Sequence, residues 1–246
     1  MIGKTFTHFK RNPRYTSEEC ERHYVGSHVP MVRNAMLASP ARLSYYVGRV
    51  VREFDLNGGW THPVTLWRYV WCHMQVDRDA AKGVDGTNHD PVARAAMSRD
   101  GAVSFTDLKR TVVEEETLLD RMRPGLAGSY HVFDYARRAD ESQESARARL
   151  RAIVREANDR LEGNIGARLL RINWVTTEGD WQPDAGLTGK LRDTTQLVAF
   201  VEFLFDDIHW SNMLFSQDDL AFRLLDKDFE LARGCDLEVT CVFDRR

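Results

Sequence analysis

Tyr24 and His28 stand four residues apart in a stretch that reads as one helix, so their side chains share a face. A histidine with an ordinary pKa near ~6.5 takes and returns protons at neutral pH, and a neighbouring tyrosine hydroxyl can donate to a developing oxyanion. The same His28 can instead close the helix end against backbone carbonyls ahead of Pro30. His8 sits mid-strand with Phe6 and Lys10 on its own face. It offers a second base if that face lines a cavity, and a surface or cross-strand histidine if it does not. Trp67, Tyr69, Trp71 and His73 alternate at period two, which makes one aromatic face of a strand. That face suits either an aromatic substrate pocket, with Trp67, Trp71 and His73 as substrate contacts, or packing inside the protein. His23 and His28 are five apart, on different faces of an α-helix, and no H-E-x-x-H or Cys/His cluster supports them, so no metal site is expected. A single axial histidine for heme would leave no spacing signature, and heme stays open on that ground. The lack of a G-x-G-x-x-G or P-loop speaks against a tightly bound nucleotide.

The elements that must position these groups read as follows. Thr5–Lys10 is a strand closed by Asn12-Pro13-Arg14-Tyr15, and Thr16 or Ser17 caps a helix with acids in its first turn. That helix is expected to end near His28, because Pro30 pushes its predecessor out of the α region, with a further helical turn over Met31–Leu37. Arg42–Phe54 and Val64–Val76 are strands about the turn Asp55–Gly59. Asp79–Ser98 is a weak helix interrupted by Gly83, Gly86 and Pro91, and Leu108–Glu116 is a fourth strand. After Arg123-Pro124-Gly125 the order restarts: strand Gly128–Tyr135, amphipathic helix Ser142–Leu161, strand Ala167–Thr176, loop Gly179–Asp193, strand Leu197–Phe205, helix Ile208–Ala232 with Gly234 as cap, and strand Leu237–Phe243. Two successive β-α-β-β-α-β units result, residues 1–122 and 123–246, an α+β chain of tandem ferredoxin-like repeats. The bare face of each four-stranded sheet must pack on something, and packing on the other repeat closes a barrel within one chain. A homodimer is then optional. Asn88-His89-Asp90-Pro91 and Asp180-Trp181-Gln182-Pro183 read as loops that could lie over a cavity.

Bulk properties limit the partners. The 246 residues are 43% hydrophobic and 29% charged with net charge −3, which is ordinary globular composition without the basic face of a nucleic-acid binder. The arginines between Arg137 and Arg160 alternate with Asp140, Glu141, Glu144 and Glu156, as on a solvated helix face. No apolar run approaches the ~20 residues that cross a bilayer, and the start of the chain lacks the apolar stretch of a signal peptide. The four cysteines show no C-x-x-C and read as reduced thiols of a cytoplasmic protein.

The segment from Phe9-Lys10-Arg11 through Thr16-Ser17-Glu18-Glu19 to Tyr24 and His28-Val29-Pro30 resembles the EthD-like family of the dimeric α+β-barrel superfamily, and Leu43-Ser44-Tyr45-Tyr46-Val47 continues the likeness with Tyr46 as its best match. The second half keeps only Glu202-Phe203-Leu204-Phe205 and the last strand, without H-x-P, as though it had become a support. The resemblance implies a small-molecule cavity between sheet and helices. It implies no single chemistry, since relatives include cofactor-free monooxygenases, polyketide cyclases, lactone isomerases, dehydratases, heme-degrading enzymes and accessory proteins. The reading that joins it to the residues is a cofactor-independent enzyme performing cyclisation, dehydration or isomerisation on a small apolar or aromatic oxygenated compound. His28 or His8 would be the base and Tyr24 or Tyr46 the hydrogen-bonding acid. An oxygen-using or heme-linked oxidoreductase and a non-catalytic binding protein are the alternatives.

Overall fold

A strand that is apolar at every position but Glu202 has to be covered on both faces, and Leu197–Phe205 is such a strand. Two layers of covering meet that demand. The computed structural model describes residues 2–55, 59–61, 70–77, 91–122, 128–179, 182–183, 191–192, 196–215, 224 and 227–244. Its long strands are β1 (Ile2–Arg11), β2 (Arg42–Asp55), β3 (Val70–Asp77), β4 (Phe105–Asp120), β5 (Ser129–Ala136), β6 (Ala167–Gly179), β7 (Leu197–Phe205) and β8 (Leu231–Asp244). All their pairings are antiparallel, in the order β4-β1-β3-β2-β8-β5-β7-β6, and β6 pairs back onto β4. The first four strands and the last four have the same internal order, so β2 of the first meets β8 of the second while β4 meets β6. The sheet is thus a closed ring without a free long edge. Tandem ferredoxin-like sheets close one barrel inside one chain.

The alternation of side chains sorts the core into three layers. Phe6, Val50, Val113, Tyr130, Val132, Leu169, Phe200 and Leu237, from seven of the strands, fill the barrel. On the outside of the second sheet, α4 (Gln143–Leu161) lays Ala146, Leu150, Val154, Ala157 and Leu161 on it, and α5 (Ile208–Phe215) adds Leu214 and Phe215. On the outside of the first sheet, Phe9, Tyr45, Val47 and Phe105 meet Tyr24 and Met36 from the helices.

Inside the barrel lies a charge cluster whose members are far apart in the sequence. Lys4, 1% exposed, donates to Asn173 Oδ1 at 2.9 Å and Glu202 Oε2 at 2.7 Å, and it lies 3.0 Å from Glu115 Oε1. Glu202 also accepts from Asn173 Nδ2 at 2.8 Å and from the Tyr130 hydroxyl. Burial and the Glu202 charge hold the Tyr130 hydroxyl well above its usual pKa, so it stays a donor. These bonds tie β1 of the first sheet to β5, β6 and β7 of the second.

Several elements differ from their sequence-based bounds. The first helix does not stop before Pro30. It runs as α1 (Ser17–His23), a π-helical turn (Tyr24–His28) and α2 (Val29–Leu37), and Val29 N–H bonds Tyr24 O five residues back. Pro30 then sits in a new first turn, where a missing N–H costs nothing. The weak helix extends past its expected end at Ser98: its described part, α3, is Pro91–Ser104, while residues 78–90 and 62–69 lie outside the described residues. Gly234 is no helix cap but a strand residue paired with Phe54 and Phe133, because β8 begins at Leu231 and the helix at Ile208 is described only to Phe215.

Lys4→Met leaves Glu202 buried with its main charge partner gone. It should lower unfolding stability in urea by about 3–5 kcal/mol. The double variant Lys4→Met, Glu202→Gln should recover most of that loss. An equal loss in both would show that the cluster does not act through paired charge.

Candidate functional site

The turn after β1 fixes where the first helix starts and where α3 ends. Asn12 is buried, donates from Nδ2 to Ala102 O at 2.8 Å and accepts Arg14 N–H at 3.0 Å, while its own N–H bonds Ser104 O at 3.0 Å. Thr16 then caps α1 in a reciprocal box with Glu19, whose carboxylate accepts Thr16 N–H at 2.8 Å and is held below the usual glutamate pKa by that bond. Ser104 Oγ donates to Cys20 O at 3.2 Å. Helices α1 and α3 are therefore clamped side by side over the first sheet, and the π-helical turn faces α3.

Across that seam stands Asp100. His28 Nδ1 is 3.0 Å from Asp100 Oδ2, Ser27 Oγ donates to Oδ1 at 2.7 Å, and His23 Nε2 lies 3.0 Å from Oδ1 and 3.0 Å from the Asp100 carbonyl oxygen. An α-helix would turn His23 and His28 to different faces. The π turn widens the spiral so that residues five apart align, and both histidines reach the same aspartate. His28 thus does not cap the helix against carbonyls; it is bonded to a side chain on another helix. Gly101 makes the approach feasible: a Cβ there would lie 3.2 Å from His28 Cε1 and 2.7 Å from Phe105 Cζ.

Aromatic rings enclose the imidazole. Tyr24 stacks on His28 with centroids 5.3 Å apart, and Phe105 meets it edge-on at 5.4 Å. Phe9 packs on Phe105 at 4.5 Å. The Tyr24 hydroxyl is 3.3 Å from that of Tyr45, not Tyr46. Burial lowers the His28 pKa below its ordinary value, and the Asp100 bond offsets this only in part. The ring is therefore neutral at pH 7. An ionised carboxylate only accepts, so the proton sits on Nδ1 and the Nε2 lone pair is left available. A neutral, oriented imidazole beside a phenol can remove a proton and stabilise the oxyanion that forms.

The other residues singled out from sequence are placed apart or lie outside the described side chains. Tyr46 belongs to the opposite face of β2 from Tyr45 and donates to the Asp244 carboxylate on β8. His8 pairs in register with Trp71 and Lys109, and His73 with Phe6 and Tyr46. The side chains of His8, Trp71 and His73 lie outside the described set, as do Trp67, the 88–90 segment and Asp180-Trp181 entirely. Among the described residues no three or more His, Cys, Asp or Glu gather as a metal site, and no helix is long and apolar enough to cross a membrane. Asp100 falls beyond Ser98, where the sequence places the end of the weak helix, whereas the helix runs to Ser104. Its signal was present as an acid on the face of a helix rich in small residues, Ala93 to Gly101.

No family model and no curated protein matches the sequence. Solved structures do match it in fold. A candidate monooxygenase from Lactobacillus acidophilus NCFM superposes over 99% of this chain and 96% of its own, with 7% identity and TM-score 0.53. A candidate monooxygenase from Fusobacterium nucleatum covers 97% and 92%, with 10% identity and TM-score 0.55. An anthrone oxidase-like protein covers 100% and 94%, with 10% identity and TM-score 0.55. At these identities the likeness concerns the fold. With the closed eight-strand ring and its outer helices, it establishes that this chain has the fold of the dimeric α+β-barrel superfamily, built from a single polypeptide.

Proposed function

We propose that the protein is a small-molecule enzyme that transfers a proton on an apolar or aromatic carbonyl compound, with His28 as general base and Tyr24 as hydrogen-bonding acid. The observation that carries this reading is the His28 Nδ1–Asp100 bond at 3.0 Å in a buried aromatic setting. It sets the tautomer a base needs, and the lowered pKa keeps the base unprotonated at neutral pH. His28 Nε2 takes a proton from the carbon next to the carbonyl, the C–H electron pair moves into the enolate, and the Tyr24 O–H bonds its oxygen. Returning the proton elsewhere gives isomerisation, loss of a β-hydroxyl as water gives dehydration, and attack on a second carbonyl gives cyclisation. Asp100 holds the ring through Nδ1.

A second reading, oxidation, draws support from the neighbours of the same fold, which include candidate monooxygenases and an anthrone oxidase-like protein. The two share their first step. They part when the carbanion passes electrons to dioxygen instead of regaining a proton.

Anthrone serves as a probe for both readings, because its methylene proton is acidic. Solvent-deuterium exchange into anthrone should exceed the buffer blank with the wild-type protein, and oxygen uptake reports the oxidative branch. His28→Ala should reduce exchange about 10²–10⁴-fold, and Tyr24→Phe about 10²-fold. Full rates in both folded variants would contradict the assignment.

Stability should carry the same signature. A histidine whose folded pKa is depressed binds fewer protons than in the unfolded chain, so its contribution is complete above about pH 6.5 and is lost as pH falls through the folded value. Wild-type stability should decline on acidification through that range, and the decline should flatten in His28→Gln. An identical profile in the variant would mean that His28 does not titrate in this way.

A further inference from the structure

A second histidine–carboxylate pair lies on the outer face of the second sheet, away from His28. His131 on β5 and Asp236 on β8 are directly paired across the strands, and His131 Nδ1 bonds Asp236 Oδ1. On its other side His131 Nε2 is 2.8 Å from Ser129 Oγ, two residues earlier on the same face of β5. In the neutral ring, the carboxylate can only accept, so Nδ1 carries the hydrogen and Nε2 can only accept. The proton shared with Ser129 must then come from the serine hydroxyl. Ser211 of α5, 3.4 Å from Ser129 Oγ, sends its own hydroxyl hydrogen to Ile208 O at 2.9 Å and does not compete for Nε2.

The surroundings grade from closed to open along this relay. His131 is 0% exposed, edge-on to Phe205 at 5.8 Å and to Phe215 at 4.9 Å. Ser129, at the start of β5, is only partly buried. Rings fix the base, a carboxylate orients it, and the serine is the least buried residue of the three. Purely structural serines gain nothing from this order of groups, whereas a nucleophile requires it.

We propose that Ser129 is an activated nucleophile, with His131 as its base and Asp236 as a positioning residue, which accepts acyl or phosphonyl groups from activated esters and phosphonates. As Ser129 Oγ attacks the electrophilic carbon or phosphorus, its proton passes to His131 Nε2. The bond to the leaving alkoxide or fluoride breaks, and an alkoxide departs with that proton. Water then hydrolyses an acyl-serine by the same route in reverse. This activity is independent of His28.

The test is labelling of the full-length folded protein with a fluorophosphonate probe, followed by mass spectrometry of the modified peptide. Stoichiometric label on Ser129 is expected, absent in Ser129→Ala. It should slow at least ~100-fold in His131→Gln with unchanged circular dichroism. Asp236→Asn should slow it as well, and Asp236→Glu should restore part of the rate, which a merely structural contact would not require. Should His131→Gln fail to fold, p-nitrophenyl acetate with the wild-type protein decides: an acetyl group on Ser129 is expected. No label on Ser129 from either reagent, or labelling at an undiminished rate in folded His131→Gln, would overturn the proposal.

Discussion

Two four-stranded sheets, each with helices on one face, leave two apolar faces that water cannot be allowed to reach. In this chain they cover each other. The demand fixes the closed ring of strands, the inward side chains of both halves and the outward placement of every described helix. Lys4 and Glu202 add direction to a contact that apolar burial alone would leave free to slip. A lysine from the first sheet is satisfied only if β5, β6 and β7 of the second arrive in one register. Such a cluster costs desolvation, so its contribution is better understood as specificity than as net stability.

With closure supplied by the second half, the helices of the first are free to carry chemistry. The π-helical turn is the local device. One extra residue in the turn brings His23, Ser27 and His28 to a common face, and the chain continues through Pro30 as α2. Asp100 then gathers all three, and Gly101 lets α3 come close enough for it to do so. The two halves are not equivalent. The first places its histidine on a helix above the sheet, and the second places His131 in the sheet itself beneath α5.

Much of this was legible because local signals agreed with the tertiary demand. The run Leu197–Phe205 is apolar enough to be read to the residue, and the helix starts at Thr16-Ser17 and at Ser142 are legible, with Thr16 and Ser142 serving as the caps. The pairing of Tyr24 with His28 follows from spacing alone. What escaped reading depends on partners distant in sequence. Tyr45 and Tyr46 differ by one residue, and only the direction of the sheet's curl decides which faces the helices. Asp100 lies 72 residues from His28, in a helix whose small residues look weak until one sees that closeness is their use. Nothing local to Lys4 or Glu202 says that a strand from the other half will bury them. The Ser129–His131–Asp236 relay likewise exists only once β5 and β8 pair.

One proton decides the chemistry proposed here, the one on His28. Long-range ¹H–¹⁵N correlation spectra of the histidine rings, assigned by comparison with His28→Gln, observe it directly. The structure requires a neutral His28 with hydrogen on Nδ1 and a bare Nε2 at pH 7, titrating below its ordinary value because the ring is buried. A neutral ring carrying its hydrogen on Nε2, or a His28 that is already protonated at pH 7, would contradict it.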